Sequence, residues 1–208
     1  MSLFKRAAFG AAIAATPLAA VADTYGKYQS PPYQVDAVLN AVELRSYAPH
    51  ILAEVTVQGD RSAALNAGFR VLAGYIFGGN TAQASVAMTS PVAQSQTIDM
   101  TSPVAQSGSG DQWVVSFMMP RDWTIDSLPR PNTPAIRFVQ TQPEQRAVLR
   151  FSGRATTAAL ARAETTLRDT LAQNRIAVSG PAAFYYYDDP MTLPWNRRNE
   201  VALTLSGN

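Results

Sequence analysis

Side chains able to do chemistry are sparse in this chain, and their types exclude more than they allow. There is one histidine, His50, and no cysteine. Thiolate metal sites, thioether attachment of a cofactor and cysteine nucleophiles are therefore excluded, and a zinc centre of several His or Cys ligands cannot be assembled. A Ser-His-Asp triad would have to use His50, and no serine sits in a Gly-x-Ser-x-Gly elbow. The phosphate-cradling glycine loops are absent too. Asp188-Asp189 stands before Pro190 and reads as a turn before it reads as a cation site. What remains is six methionines, eight tyrosines and eight phenylalanines. Such side chains fill irregular apolar cavities and stack on flat ligands, and Met and Tyr can also ligate iron. On residue types alone the reading stops at a domain with an apolar core or an apolar pocket.

One stretch concentrates this chemistry. Met-Thr-Ser-Pro-Val-Ala-Gln-Ser occurs at Met88 and again at Met100, twelve positions later. Two copies at so short a period do not make a solenoid. They suit a hairpin whose strands each begin with methionine, with Pro91 and Pro103 at an edge or bulge because proline cannot donate to a ladder. Met88 and Met100 would then occupy comparable places near the first helix.

The elements that must position these residues are legible from period and turn chemistry. In "RSAALNAGFRVLAGYIF" the residues Leu65, Phe69, Leu72 and Ile76 recur at helical spacing, and Gly78-Gly79-Asn80 stops the run. Leu160, Ala163, Leu167 and Leu171 do the same in a second segment that ends near Asn174. Helices are expected over Arg61 to Phe77 and Thr157 to Gln173, each laying one apolar face on a sheet. The strand candidates are "AVELRSY", "HILAEVTV", "QWVVSFMMP", "AIRFVQTQ", "RAVLRFSG", "AAFYYYDD" and "EVALTL". Before each helix, a strand meets a proline-marked turn and a second strand returns. Two strand-strand-helix units build an antiparallel sheet, curved or closed, with both helices outside it, so the class is α+β.

The N-terminus bears on where the chain works. Lys5 and Arg6, an apolar run from Ala7 and the small residues Ala20-Val21-Ala22 are the order of a secretory signal peptide. The expected division is residues 1–22 as signal peptide, 23–34 as a flexible leader ("TYGKYQSPP" is polar and proline-rich) and 35–208 as a single domain. Removing Lys5 and Arg6 leaves equal numbers of acidic and basic residues, and no basic cluster remains beyond Arg197-Arg198. Nucleic acid is therefore not an expected partner. The alanine-rich run, broken by Pro17, spans a membrane poorly, so no membrane span is expected in the mature chain, and the periplasm is the expected location.

From about Val42 to Leu205 the chain resembles the SOUL/haem-binding protein family. The landmarks are "VELRSYAPHILAEVTV", "GFRVLAGYIFGGN", the doubled "MTSPV", "WVVSFMMP", "LPRPNTPAIRFV", "RAVLRFSGRAT" and "YYYDDPMTLPWNRRNEVAL". The resemblance implies a distorted antiparallel β-barrel of two pseudo-symmetric halves, each carrying a helix, similar to the ligand-sensing domains of multidrug regulators. It implies non-covalent binding of b-type haem or a related tetrapyrrole in an apolar cleft, with no cofactor required for folding. The pocket residues expected on this footing are Phe69, Arg70, Leu72 and Ile76 of the first helix, with Met88, Met100 and His50. His50 is either an axial ligand or a packing residue; the position that holds a histidine in some members is Ser46 here. Arg61 and Arg70 are the first helix's only cations. The leading function is an exported carrier, buffer or scavenger. The alternatives are an enzyme acting on a tetrapyrrole, with Glu43, Glu54 or His50 as proton donors, and a non-catalytic sensor or interaction module for another flat apolar ligand.

Overall fold

Asp60 starts the first helix and a left-handed glycine ends it. The computed structural model describes residues 18–82 and 95–206, with side chains from residue 24 onward. Helix α1 spans Arg61–Ile76, and the Asp60 carboxylate accepts hydrogen bonds from the Ser62 and Ala63 amides. That satisfies two of the donors a helix start leaves open. Past the C-cap Phe77, Gly78 turns the chain with φ 109°, a conformation that favours glycine. Helix α2 spans Thr157–Gln173, is capped by the Thr156 side chain and ends at Asn174. Both helices lie where their periods place them.

Their faces differ in how well the sequence foretold them. α2 buries Leu160, Ala163, Leu167 and Leu171, the expected row. α1 buries Ala64, Gly68, Leu72, Tyr75 and Ile76, so the Leu65–Phe69 half of the expected stripe is turned off the sheet. Gly68 explains the rotation. An ideal Cβ on it would stand 2.6 Å from Val115 Cβ and Cγ2, a separation only the missing side chain permits. The small residues face the sheet, the helix approaches closely, and Leu65 and Phe69 are left on its flank.

The strands are β1 Leu18–Tyr25, β2 Tyr28–Leu39, β3 Val42–Tyr47, β4 Ile51–Gln58, β5 Asn80–Thr81, β6 Val104–Ser109, β7 Gln112–Met118, β8 Arg130–Pro131, β9 Ile136–Gln140, β10 Glu144–Phe151, β11 Val178–Tyr186 and β12 Asn199–Leu205. Ten of them form one antiparallel sheet in the order β1-β2-β3-β10-β12-β11-β6-β7-β4-β9, and β5 pairs with β8 apart from it. The sheet has two free ends, β1 and β9, so the expected barrel is not closed. The class is α+β, as expected.

From β3 to β9 the order reads as the same series from either end. β3-β4-α1-β6-β7 corresponds to β9-β10-α2-β11-β12, about a centre between β11 and β6. The expected hairpins before each helix do not form, however. β3 pairs with β2 and β10, and β4 pairs with β7 and β9. The chain at Ala48-Pro49-His50 crosses between halves instead of folding back. It is pinned there by Ala48 N–H to Pro32 O (3.1 Å) and by Thr141 N–H to His50 O (2.9 Å).

The flexible leader is also corrected. Residues 28–34 belong to β2, and 24–25 close the β1–β2 hairpin. Pro31 and Pro32, which suggested a linker, fall where β2 has no ladder partner on either side: pairing with β1 skips from Gln29 to Tyr33, and pairing with β3 begins at Tyr33. Proline is tolerated at such an irregularity. The doubled octapeptide resolves in part. Its first copy, with Met88, lies outside the described residues except for its last, Ser95. The second leads into β6, with Pro103 just ahead of it. β6 has β7 and β11 on its two sides, so it does not pair with a strand from the first copy.

Two apolar cores follow from the symmetry. α1 packs on β4 and β7, and α2 on β10 and β12. Leu72, Tyr75 and Ile76 meet Ala53, Val115 and Phe117 in one core; Leu160, Leu167 and Leu171 meet Ala147, Val201 and Leu203 in the other. The corresponding strands β6 and β11 run between the helices. Among the described residues no helix is long and apolar enough to cross a membrane.

Candidate functional site: a cleft over the central strand pair

A cleft of about 690 Å³ opens over β6 and β11, between α1 and the start of α2. That lies within the roughly 300–1,000 Å³ range of small-molecule sites. Leu65 and Phe69 form the α1 wall, Ala155 and Thr156 the α2 wall, and Val104 and Tyr186 the floor, with Met100 between floor and α1. The helix rotation supplies this wall: side chains turned off the sheet by the Gly68 approach become the lining. Phe69 is 38% exposed, yet it meets Phe117 edge-on at 5.5 Å and is thereby oriented.

Polar groups around the floor are tied down. Tyr186 Oη donates to Gln106 Oε1 (3.2 Å), and Gln106 Nε2 donates to Arg61 O (2.8 Å). Burial pushes the Tyr186 phenol up to about 12 despite the opposing field of Arg61, so it stays a neutral donor at physiological pH. The Arg61 guanidinium stacks over Phe184 (4.3 Å) and Trp113 (5.1 Å), while its Nε and Nη1 are buried without a hydrogen bond. At the mouth, Lys27 and Arg154 are exposed and Arg197 is half-buried. The neighbouring acids are engaged: Asp188 accepts from Tyr25 Oη (3.0 Å) and the Arg198 amide (2.7 Å), and Asp189 from the Met191 amide (2.7 Å).

The expected pocket residues divide. Phe69 and Met100 line the cleft. Leu72 and Ile76 are core residues, 0% and 1% exposed. Arg70 is exposed and donates Nε to Asn66 O (3.3 Å). His50 is not brought to the cleft. Along β4 the residues Ile51, Ala53 and Val55 face α1, so alternation sends His50, Leu52 and Glu54 to the other face of the sheet. There His50 borders a cavity of about 100 Å³ with Glu144 and Arg146. Its Nδ1 lies 2.9 Å from Ala48 O, and a carbonyl can only accept, so Nδ1 carries the proton. Burial holds the imidazole pKa below its ordinary value. Among the described residues no group of three His, Cys, Asp or Glu could hold a metal ion.

That second face holds a polar cluster that composition and period did not reveal. Arg45, 2% exposed, makes a fork to Glu200, 1% exposed, with both bonds at 3.0 Å. Arg198 donates to the same carboxylate at 2.6 and 3.1 Å, Tyr187 Oη at 2.9 Å, and Arg45 also reaches Glu43 at 2.7 Å. "VELRSY" and "RRNEV", far apart in sequence, thus meet in one ion cluster. Burial opposes the charge of Glu200, but Arg45 and Arg198 outweigh it and hold the carboxyl below its ordinary range. The signal available in sequence was only that both motifs place charged residues inside apolar strands.

Solved structures share this architecture. The C-terminal domain of EcmrR superposes with a TM-score of 0.59 at 11% identity, covering 85% of this chain and 99% of that one. A hydrolase from Listeria innocua gives a TM-score of 0.53 at 12% identity, covering 82% and 94%. An uncharacterised conserved protein from the same organism gives 0.54 at 11% identity, covering 82% and 94%. At such identities the likeness is one of fold. No curated protein is significantly similar to this chain in sequence. The family is nonetheless defined: the SOUL heme-binding protein model matches residues 28–204, and the chain belongs to that family. The match begins at the first residue of β2, in line with the leader being part of the domain.

Proposed function

We propose that this protein is an exported, non-covalent carrier, buffer or scavenger of haem or a related tetrapyrrole, held in the cleft over β6 and β11. The observation that carries the reading is the cleft itself, about 690 Å³ with walls of Leu65, Phe69, Met100 and Val104. The residues fit the group. A macrocycle needs flat apolar walls, and its acidic side groups need cations at the opening, which Lys27, Arg154 and Arg197 supply. Haem when bound would bring an iron able to take a protein ligand; among the described residues Met100 is the thioether lining the cleft, and of the tyrosines lining it Tyr186 stays protonated. Thioether attachment is excluded by the lack of cysteine. Burying about 300 Å² of apolar surface gains about 7 kcal/mol gross, and ordering costs reduce it, so packing alone gives a modest affinity, micromolar at the tightest.

Titration of the purified protein with haem, followed at the Soret band, tests the reading. Saturation at micromolar haem supports it, and a folded protein with no saturable change at tens of micromolar removes it. Export has its own test. Cleavage after Ala22 would leave Thr24 and Tyr25 to pair with Gln29 and Tyr28, keeping the turn that borders the cleft. Intact-mass measurement of protein from the periplasmic fraction should give a chain starting near Asp23; a chain retaining Met1 would defeat the export reading.

A further inference from the structure

We infer that the loop between β11 and β12 is a membrane-docking finger, which seats the mouth of the cleft on the interface of an anionic lipid bilayer. Three large apolar side chains stand out of it: Met191 is 89% exposed, Leu193 51% and Trp195 69%. The loop that holds them is firmly built. The Asp189 carboxylate accepts from the Met191 and Thr192 amides at 2.7 and 3.0 Å. Arg197 donates to Thr192 O (2.8 Å) and Pro190 O (2.5 Å), and the Gly153 amide donates to Pro194 O (2.9 Å). A one-turn 3-10 helix, Pro194–Asn196, closes it. A tied-down loop that keeps its largest apolar groups in water marks an interaction site.

The size and charge of the finger select a bilayer. Three side chains on a five-residue tip fall far short of the roughly 800 Å² per partner of a stable protein interface. A bilayer interface is engaged by a few apolar groups reaching about 5–10 Å below the headgroups, and Trp is a side chain that favours this boundary. The surrounding charge suits anionic headgroups. Arg197 is bonded to carbonyls, which leave its charge uncompensated, and Lys27 and Arg154 are exposed on the other lips of the cleft. Asp188 and Asp189 keep their charge beside them, so the lining balances to one net positive charge, three cations against two carboxylates. β1 leads away from the cleft: Tyr25 borders it, while Leu18 pairs with Val35 at the far end.

Pro190, Thr192 and Arg197 belong both to this loop and to the cleft lining, so docking opens the cleft toward the lipid. That purpose rests on the cleft's being a lipophilic ligand site, but the docking does not. The test is therefore made without haem. The mature chain starting near Asp23 is mixed with phosphatidylcholine vesicles, with and without phosphatidylglycerol, some carrying brominated acyl chains. Trp195 emission should shift to the blue and be quenched by bromine, more strongly on the anionic vesicles. Trp195→Phe should remove most of the quenching while preserving partitioning, since Trp113 is buried in the core and Trp123 is half-buried against the α1 core. The triple variant Met191→Ser, Leu193→Ser, Trp195→Ser should partition roughly tenfold more weakly with unchanged thermal unfolding. Unquenched Trp195, or vesicle binding undiminished in the triple variant, overturns the inference. So does a blue shift that depends on protein concentration without vesicles, because a second copy would then cover the patch. Quenching without any haem binding would keep the docking and remove the function proposed for the cleft.

Discussion

Phe69 and His50 carry opposite burdens in this chain. Phe69 is an aromatic on a helix flank, and its exposure means it contributes little to the fold. In the cleft, however, its exposed part is apolar aromatic surface that a flat ligand can cover. Covering such a ring is worth about 1.5–3 kcal/mol, so Phe69→Ala should weaken haem binding roughly tenfold, with little change in the unfolding midpoint. His50 has the residue type expected of an iron ligand but the wrong face of the sheet. His50→Ala should leave both the Soret maximum and the affinity unchanged. Titrating the two variants beside wild type separates the cases: a Soret shift on losing His50 would mean that the iron is reached from the other face of the sheet and that the cleft is not the haem site.

At the scale of elements, Gly68 decides the shape of the cleft wall. A methyl there gains roughly 1 kcal/mol in helix propensity, but the Val115 contact at 2.6 Å forces helix and sheet apart. Overpacking of this kind costs about 1–3 kcal/mol. Gly68→Ala should therefore lower stability in urea unfolding and weaken haem binding together, and Gly68→Ala/Val115→Ala should recover part of both. If the single variant is more stable than wild type, the close approach is not what sets the helix. The same position shows how far the sequence could be read. Both helices, the seven strands proposed and the family were legible, because period, caps and motifs are local signals. The facing of α1 was not: Leu65, Phe69, Leu72 and Ile76 have a faultless period, and only the contact across to Val115 shows that the small row faces inward. Nor was the crossing at Ala48-Pro49, where proline marks a turn without saying whether the strand returns beside itself or joins the other half. Of the site, Phe69 and Met100 were readable, whereas Val104 and Tyr186 become its floor only once β6 and β11 are known to be the central pair.

At the scale of the whole molecule, the ion cluster around Glu200 ties together strands from both ends of the chain: Arg45 in β3, Glu200 in β12, and Arg198 and Tyr187 flanking the β11–β12 loop that borders the cleft. A buried carboxylate between two guanidinium groups has a stability signature that depends on pH. Its folded pKa lies below its ordinary value, because Arg45 and Arg198 outweigh the burial that works against the charge. The unfolded chain therefore binds this proton more readily. The cluster's contribution is fully present above the unfolded carboxyl pKa of about 4.3 and is lost as pH falls through the lower folded value. Glu200→Gln keeps the shape and removes the charge, leaving both cations buried and under-compensated, at a cost of about 3–5 kcal/mol near neutrality. Because the other carboxylates titrate alike in both proteins, the difference in urea unfolding free energy between wild type and variant isolates this one. That difference should be largest at pH 7 and narrow as pH drops below about 4. A difference that stays constant down to the acid limit would mean the carboxylate acts through hydrogen-bond geometry alone, and that the two arginines do not depend on its charge to stay buried.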